Sequence, residues 1–436
     1  MVLIFVHKSS ARLQYIAAFI FKELIKIPYS ITSHEESFKK FDGVKINYTE
    51  TKQSEGELYV HPFGLLNDSG VKEQTIEVFE SEGYPAFFKS NSFKDDQFSF
   101  DIFSASFYLI SRYEEYLPHT TDKYGRYLHT NSLAFKNNFL HLPLINIWAD
   151  NFAAWLTQKN SSLIFNKPVF KFIPTYDIDI AYSYLNKGLF YTAASAMRSV
   201  ITFNIKSLLQ RVKVLTKKKA DPFDNYKSLD DLHQRLKLAP IYFFLVAEKN
   251  SLQDKNILPD NTAMRALIKQ HVKQYDIGLH PSWQSGNNNQ LIKKEKTTLE
   301  KISGLVIEKS RQHYLRITMP ATYRLLINAA IKDDYSMGYG TVNGFRASVA
   351  SSFYWYDIEK ELQSKLRIHP FCYMDSNSIF HQKISPEKAY NEMIFYYQIC
   401  KKYSGTFISI IHNHLIAQKD WKNVYENFLL NITKED

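Results

Sequence analysis

An apolar run that stops at two carboxylates constrains the fold of this chain more than any other feature. Residues 172–176 read Phe-Ile-Pro-Thr-Tyr, and Asp177 and Asp179 follow one residue apart. A short run of this kind predicts a buried strand of a parallel sheet, because such strands are covered on both faces. Ligands and metals in parallel sheets gather at the carboxyl ends of the strands. Both carboxylates would therefore lie where such a sheet binds its ligands.

Three further strand-like runs also end in a chemically capable side chain. They cover residues 276–280, 344–346 and 407–412, and they end at His280, Arg346 and His412. Strand and helix patterns alternate from about residue 166 onward, and a long stretch at 185–219 predicts one or two inserted helices. This alternation predicts an α/β fold with a parallel sheet, and its length fits a (β/α) barrel.

The first 165 residues show a different pattern. They open with a strand and a helix, continue through short strands and turns, and contain no recognisable catalytic cluster. We predict that they form a smaller α/β or α+β domain that ends near residues 166–168, where a turn signal occurs. Arg112, Glu114 and Glu115 follow a predicted helix in this part. These charges either make a polar contact at a domain interface or lie at a solvated helix end.

The net charge of the chain limits the classes of molecule that it could bind. The formal charge is 54 − 44 = +10, which suits nucleic acid, an anionic membrane surface or an acidic glycan. Most of the charge is scattered, however, with clusters only at 217–219 and 293–296, and no nucleic-acid motif accompanies it. We therefore predict no nucleic-acid partner. The pattern indicates no particular oligomeric state.

Cysteine usage and hydropathy indicate the compartment. Cys372 and Cys400 are the only cysteines, so a disulfide framework or a cysteine-based zinc site is excluded, and a reducing compartment fits. No stretch approaches the roughly 18 apolar residues of a membrane span. The first residues also lack the pattern of a signal peptide. We predict a soluble, cytoplasmic protein without a membrane span.

The residues at the strand ends suit hydrolysis. Cleaving an amide or ester near neutral pH requires an activated water, a Lewis acid or oxyanion donor, and a proton for the leaving group. Zinc-type sites use histidine and carboxylate ligands and keep one position open. An Asp-x-Asp pair also occurs in turns, at helix caps and at the nucleotide–metal site of glycosyltransferases, although no phosphate-binding glycine loop is present here. A buried Arg346 would require a carboxylate partner.

The order of the motifs resembles the polysaccharide deacetylase family (NodB homology, carbohydrate esterase family 4), whose fold is a distorted (β/α) barrel. The resemblance covers about residues 168–415 and is carried by these positions: 175–179, Gly278 with His280, 344–346, Asp375, and 410–412. Three further runs, at 111–116, 310–314 and 335–339, resemble a Bacteroidetes-type subgroup. Proteins of that subgroup carry an uncharacterised N-terminal domain. Residues 166–436 are accordingly expected to form the deacetylase-like barrel.

The resemblance implies a metal-dependent hydrolase that removes an acetyl or other acyl group from an N-acetylated sugar or a related amide. It implies a divalent cation, zinc in the first place, with Asp179 and His280 as ligands beside a third ligand. In this scheme Asp177 is the base and Arg346 keeps it ionised. His412, oriented by Asp375, is the acid. Trp283 is expected either to stack on a sugar or to pack in the core.

Two departures from the family pattern leave an alternative open. Gln284 stands where the family has a second metal-binding histidine, and the carboxylates are spaced Asp-x-Asp. The third ligand could then be supplied by one of three histidines, His313, His369 or His414, and a shifted register would pair Asp276 with His280. If none of them completes the site, the chain is a catalytically degenerate carbohydrate-binding or scaffold protein that retains the barrel.

Overall fold

The computed structural model describes residues 1–90, 97–161 and 163–434, and its strands form three sheets. The strands are β1 Val2–Phe5, β2 Tyr29–Thr32, β3 Val44–Asn47, β4 Leu58–Tyr59, β5 Phe79–Ser81, β6 Tyr84–Ala86, β7 Lys171–Ile178, β8 Ile241–Leu245, β9 Asp276–His280, β10 Lys309–Ser310, β11 Asp333–Asp334, β12 Phe353–Asp357, β13 Leu362–Ile368, β14 Tyr373–Met374 and β15 Thr406–His412.

Helices cover the sheets and connect their strands. They are α1 Ala11–Ala18, α2 Glu35–Lys39, α3 Ile102–Ile110, α4 Leu133–Lys136, α5 Leu144–Lys159, α6 Leu189–Ile201, α7 Ile205–Leu215, α8 Tyr226–Leu236, α9 Thr262–His271, α10 Asn289–Ser303, α11 Ala321–Asn328, α12 Pro386–Lys402 and α13 Lys419–Ile432. The stretch at 185–219 thus contains two helices, as predicted. Across the described residues, every helix is too short or too polar to cross a membrane.

The large sheet has nine strands in the order β12-β13-β11-β10-β9-β8-β7-β15-β14. All neighbouring strands are parallel except β12 and β13, which confirms the predicted α/β class. Within the described ranges, β12 and β14 do not pair with each other, so the sheet is open and the expected barrel closure is not found. The interior strand β8 is buried along its whole length.

A second, smaller sheet lies in the N-terminal part. Its four strands run parallel in the order β2-β1-β3-β4. One continuous hydrophobic core contains residues of both sheets, among them Ile4 of β1 and Ile411 of β15. The two parts of the chain therefore pack on each other through a shared core, and the domain boundary near residue 165 stays a prediction.

A buried ion-pair cluster joins the two parts. Glu115 accepts hydrogen bonds from Arg346 at 2.8 and 2.6 Å and from Arg112 at 2.7 Å. Glu114 binds Arg112 at 2.7 Å, and all four side chains are at most 8% exposed. Burial alone would raise the pKa of Glu115, but the charges of Arg346 and Arg112 outweigh it and lower that pKa to about 2. The charged run therefore makes a buried polar contact with the C-terminal part and does not lie at a solvated helix end, while the division into two domains stays a prediction.

We predict that Glu115→Gln destabilises the protein, because Arg112 and Arg346 then lose the carboxylate that they share. The free energy of unfolding at pH 7 should fall by about 3–5 kcal/mol. Ionised Glu115 contributes stability above its ordinary pKa of 4.5, and this contribution is lost as the pH falls toward about 2. Urea unfolding of both proteins between pH 7 and pH 2 should show their difference shrinking over that window.

Glu248→Gln is the matched control for this experiment. Glu248 pairs with Lys294 at the surface, where both side chains are more than half exposed, so its loss should leave the free energy of unfolding nearly unchanged. If Glu115→Gln is as mild as this control, the cluster does not stabilise the contact between the two parts.

Candidate metal-binding and catalytic site

Side chains from the carboxyl ends of several parallel strands converge on one cavity of about 410 Å³. Asp177 and Asp179 come from the end of β7, and His280 ends β9. His313 follows β10, and His412 ends β15. The strands β15, β7, β8, β9 and β10 are consecutive neighbours in the sheet, which is why residues so far apart in the chain meet here.

Asp179, His280 and His313 form a group whose ligand atoms all lie within 4.8 Å of one another. Oδ1 of Asp179 lies 3.0 Å from Nε2 of His280, and Oδ2 lies 3.7 Å from Nε2 of His313. Of the three histidines left open as a third ligand, His313 is therefore the one that reaches Asp179 together with His280. Carboxylate oxygen and imidazole nitrogen are the ligands that zinc takes in proteins.

Hydrogen bonds fix which nitrogen of each ring faces the group. Nδ1 of His280 donates to the carbonyl oxygen of Arg311 at 2.6 Å. Nδ1 of His313 donates to Oδ1 of Asp254 at 2.9 Å. Each neutral ring then carries its lone pair on Nε2, directed toward Asp179. Histidine ligands of metals are commonly held in this way by a carbonyl or a carboxylate.

An oxygen atom without a hydrogen bond indicates that the group of Asp179, His280 and His313 fits a divalent cation. Oδ1 of Asp179 is buried and accepts no hydrogen bond within the described part of the chain. In the tautomer set by Arg311, the Nε2 of His280 that faces this oxygen brings a lone pair and no proton. Two electron-pair donors that face each other in a buried place repel unless positive charge lies between them. The donor set thus suits zinc or a similar ion.

The surrounding charges shift the pKa values of two members of the ligand group. Burial alone would raise the pKa of Asp179, but the charge of His313 outweighs it and holds that pKa well below its ordinary value. Burial alone would lower the pKa of His313, and Asp179 and Asp254 raise it instead to about 9. Asp179 is therefore ionised, and a cation held at Nε2 of His313 would replace the proton that the raised pKa of this ring keeps there.

Asp254 is a functional candidate that the sequence did not reveal. Its carboxylate is fully buried and also accepts hydrogen bonds from the backbone N–H of Trp283 at 2.8 Å and from Gln284 at 3.2 Å. Gln284, which stands at the family's second histidine position, thus binds the carboxylate that orients His313. Asp254 lies in the loop between β8 and α9, where no motif in the sequence indicates its partner.

The arginine that holds Asp177 is Arg311, and the prediction that Arg346 does so is wrong. Nη1 of Arg311 donates to Oδ1 of Asp177 and to Oγ1 of Thr175, both at 2.8 Å. The Arg346 guanidinium instead binds Glu115 and the carbonyl oxygen of Gly338. The physical reason is that the N-terminal part supplies a buried carboxylate beside Arg346, and the motif order along residues 168–415 contains no sign of it.

A glycine makes room for the Phe243 ring, over which Arg311 lies. A Cβ atom on Gly278 would lie 2.5 Å from the ring of Phe243, so only glycine lets β9 approach that ring so closely. The Arg311 guanidinium lies over the same ring, 4.4 Å from its centroid. The close packing of β8 and β9 thus sets the position of the arginine that binds Asp177.

His412 is paired with Asp375 as expected. Nδ1 of His412 donates to Oδ1 of Asp375 at 2.6 Å, and its backbone N–H donates to Oδ2 at 2.8 Å. Nε2 of the ring faces the cavity, 3.6 Å from Oδ2 of Asp179. Burial alone would lower the pKa of His412, but Asp375, with Asp179 and Asp177, raises it to about 10.

The remaining predicted positions lie apart from the metal group. His369 binds Asp333 and Ser352 and stacks on Tyr335. His414 lines the cavity beside His412, and burial and the neighbouring His412 lower its pKa to about 4. Asp276 is exposed at the start of β9 and pairs with Lys309, so the alternative register is wrong.

Trp283 is surrounded by other side chains. It packs edge-to-face against Tyr124 and Tyr314, and Arg316 lies over its ring at 4.5 Å. Tyr124 and Tyr314 line the cavity, whereas Trp283 is not among the described residues that do. The sugar-stacking role of Trp283 stays a prediction, and the two tyrosines are better placed for such a contact.

The N-terminal part contributes to the cavity wall. Lys123, Tyr124 and Arg126 line the cavity, and Nη1 of Arg126 donates to the carbonyl oxygen of Tyr314 at 2.9 Å. Tyr314 and Leu315, directly after His313, have φ of 60° and 53°, values that non-glycine residues rarely adopt. Arg126 is thus one of the contacts that hold the strained turn beside His313.

Comparisons with known proteins cover different parts of the chain. A family model described as a family of unknown function (DUF7033) matches residues 2–161. No protein with a curated description matches. The suggested Bacteroidetes-type subgroup stays a prediction.

Among solved structures, the chain is similar to proteins named as polysaccharide deacetylases and to an allantoinase. A deacetylase from Mycobacterium smegmatis has 11% identity and a TM-score of 0.41, over 62% of this chain and 85% of its own. One from Pseudomonas aeruginosa PAO1 has 11% identity and a TM-score of 0.38, over 61% and 86%. The Puue allantoinase has 10% identity and a TM-score of 0.40, over 61% and 85%.

We predict that His280→Ala and His313→Ala each abolish binding of a divalent cation, because each removes one of two nitrogen ligands. The matched control is His381→Ala, which removes an exposed histidine of the same cavity outside the ligand group. Elemental analysis after zinc loading and dialysis should give about one ion per chain for wild type and control, and none for the other two. Retention of metal in His313→Ala would contradict the assignment of His313 as a ligand.

We predict that Asp254→Asn weakens cation binding without abolishing it. The three ligands remain, but the amide cannot accept from His313 as strongly as the carboxylate does, so affinity should fall about 10–100-fold. Competition with a fluorescent zinc chelator measures the dissociation constant. An unchanged constant would mean that Asp254 only supports the local packing of residues 283–284.

Proposed function

We propose that this chain is a metal-dependent hydrolase that removes an acyl group, in the first place acetyl, from an N-acetylated sugar or a related amide. One observation carries the proposal. A nitrogen and oxygen ligand group, an arginine-bound carboxylate and a carboxylate-bound histidine all face the same cavity. Metal-assisted hydrolysis of an amide uses a Lewis acid, a base and an acid, and these three components can supply them.

Asp177 is proposed as the general base. Arg311 binds Oδ1 of this carboxylate, and Oδ2 lies 3.9 Å from Nε2 of His280, on the side of the ligand group. The guanidinium occupies Oδ1 and leaves Oδ2 free on the side of the ligands. Asp177 then takes the proton of the attacking water at Oδ2.

His412 is proposed as the general acid. Its Nδ1 is bound to Asp375, so Nε2 is the atom that can deliver a proton in the cavity. The carboxylate holds the ring in one orientation and stabilises its protonated form, in the manner of other carboxylate–histidine pairs. Transfer of a proton from Nε2 of His412 to the leaving nitrogen lets the carbon–nitrogen bond break without releasing an amide anion.

A bound divalent cation supplies Lewis acidity at the acyl carbonyl and lowers the pKa of a coordinated water toward ~7. Asp179, His280 and His313 are the residues that would hold it. Tyr124 and Tyr314 offer aromatic surface on the cavity wall, which suits the apolar face of a sugar ring. The carbohydrate class of the substrate is supported by these rings and by the order of the sequence motifs.

The degenerate alternative loses its main support. It rested on Gln284 in place of a histidine, whereas His313 provides the second imidazole from the next strand of the sheet. A site that had lost its metal would have no need of Asp254 and the Arg311 carbonyl as acceptors for the two Nδ1 atoms. A protein that binds no metal, even when zinc is supplied, would restore the binding-protein hypothesis.

We predict that Asp177→Asn reduces turnover of an N-acetylated sugar by about 10²–10⁴-fold and leaves metal content nearly unchanged, because the amide cannot take a proton. Asp333→Asn is the matched control, since Asp333 lies in the same sheet but pairs with His369 away from the cavity. Acetate release and elemental analysis on the same samples test both effects. Metal loss in Asp177→Asn equal to that in His280→Ala would make Asp177 a ligand.

A further inference from the structure

A helical hairpin projects from the chain directly after the catalytic strand β7. It consists of α6 and α7, which contact each other, and we call it the α6–α7 hairpin. Its base is tied down by Asp221, which accepts hydrogen bonds from the backbone N–H groups of Ser183, Tyr184 and Leu185 at 2.8–3.0 Å. Arg211 of α7 lies over the ring of Tyr184 at 5.0 Å. The hairpin is therefore anchored at its base.

Large apolar side chains of this hairpin are exposed around its turn. Their exposed fractions are Met197 63%, Val200 56%, Ile201 69%, Phe203 86%, Ile205 63%, Leu209 55%, Val212 50% and Leu215 44%. On α7 the positions 205, 209, 212 and 215 recur at helical spacing and form one stripe. A contiguous exposed apolar surface of this kind marks a place of interaction.

The same segment contains most of the net positive charge of the protein. Residues 185–220 contain eight Lys and Arg residues and no Asp or Glu, so they contribute +8 of the +10 formal charge. Lys206, Lys213 and Lys217 are exposed beside the apolar stripe, and Lys218 and Lys219 follow at its end. Much of the net positive charge is thus concentrated on the α6–α7 hairpin and the residues that directly flank it.

We propose that the α6–α7 hairpin docks the protein on an anionic lipid surface. Its apolar side chains would enter the boundary of the acyl chains, and its lysines would contact lipid phosphates, as in interfacial amphipathic helices. The helices have 13 and 11 residues, well below the ~20 that cross a bilayer, so the hairpin lies on the membrane.

Charge and surface chemistry favour this partner over two others. A second copy of the chain would bring the exposed lysines of this segment (206, 213 and 217–219) against the same lysines of its partner, and like charges oppose such an interface. Nucleic acid would satisfy the lysines but would leave Phe203, Ile201 and their neighbours without an apolar partner. The exposed apolar side chains around the hairpin turn and the exposed lysines beside them together match a membrane with anionic headgroups. This proposal stands whatever reaction the catalytic site performs.

The test is sedimentation of the full chain with vesicles of phosphatidylcholine and phosphatidylglycerol, compared with vesicles of phosphatidylcholine alone. Wild type should partition to the anionic vesicles and much less to the neutral ones. The double variant Ile201→Ser with Phe203→Ser should weaken partitioning at least about tenfold, because two exposed side chains no longer enter the acyl boundary. Replacing Lys217, Lys218 and Lys219 by Gln should weaken it similarly and reduce its dependence on salt.

Val306→Ser is the matched control, because Val306 is 75% exposed outside the hairpin, and its partitioning should equal that of wild type. Equal thermal unfolding of all variants checks that the fold is intact, as expected for exposed positions. Absence of wild-type partitioning, or partitioning that the hairpin variants retain, overturns the proposal. A lipid-free dimer that the Ile201→Ser, Phe203→Ser variant dissociates, seen by light scattering, would instead make this face a self-association surface.

Discussion

The buried guanidinium of Arg311 is the interaction on which the site depends. Its side chain is fully buried and donates hydrogen bonds to Asp177 and Thr175 of β7. It also donates to the carbonyl oxygen of Tyr335 and lies over the ring of Phe243 in β8. Its own carbonyl oxygen fixes the tautomer of His280. One residue therefore sets both the position of the proposed base and the ligand atom of the proposed metal site, because a buried guanidinium must satisfy its charge in a fixed geometry.

The N-terminal part is coupled to this centre by arginines rather than by catalytic residues of its own. Glu115 receives Arg346, and Arg126 binds the carbonyl oxygen of Tyr314 next to His313. The shared hydrophobic core makes the two parts one packed unit. A role for residues 1–165 follows from these contacts: they stabilise the strained turn beside a metal ligand and provide one wall of the cavity.

Several features could be predicted from sequence because they are local. Alternation of strand and helix patterns indicated the parallel sheet, and polar residues directly after apolar runs indicated Asp177, Asp179, His280 and His412. These positions share the carboxyl edge of the sheet, so their convergence follows from topology alone. The pairing of His412 with Asp375 was not a local feature; the resemblance to the polysaccharide deacetylase family implied it. Barrel closure did not follow, because it depends on pairing between the outermost strands, which local pattern does not encode.

The sequence by itself determined the class of fold and the strand ends at which chemistry is possible, because burial and hydrogen bonding of a strand depend on its own residues. Only the tertiary structure decided which side chains contact one another in the site. It placed Arg311 rather than Arg346 on Asp177, selected His313 among three histidines, and brought Asp254 from a loop without a motif. It also left large apolar side chains of the α6–α7 hairpin exposed. Buried charges and ligands are satisfied by whichever group the packing of distant segments brings within hydrogen-bond distance, and that proximity is a property of the folded chain.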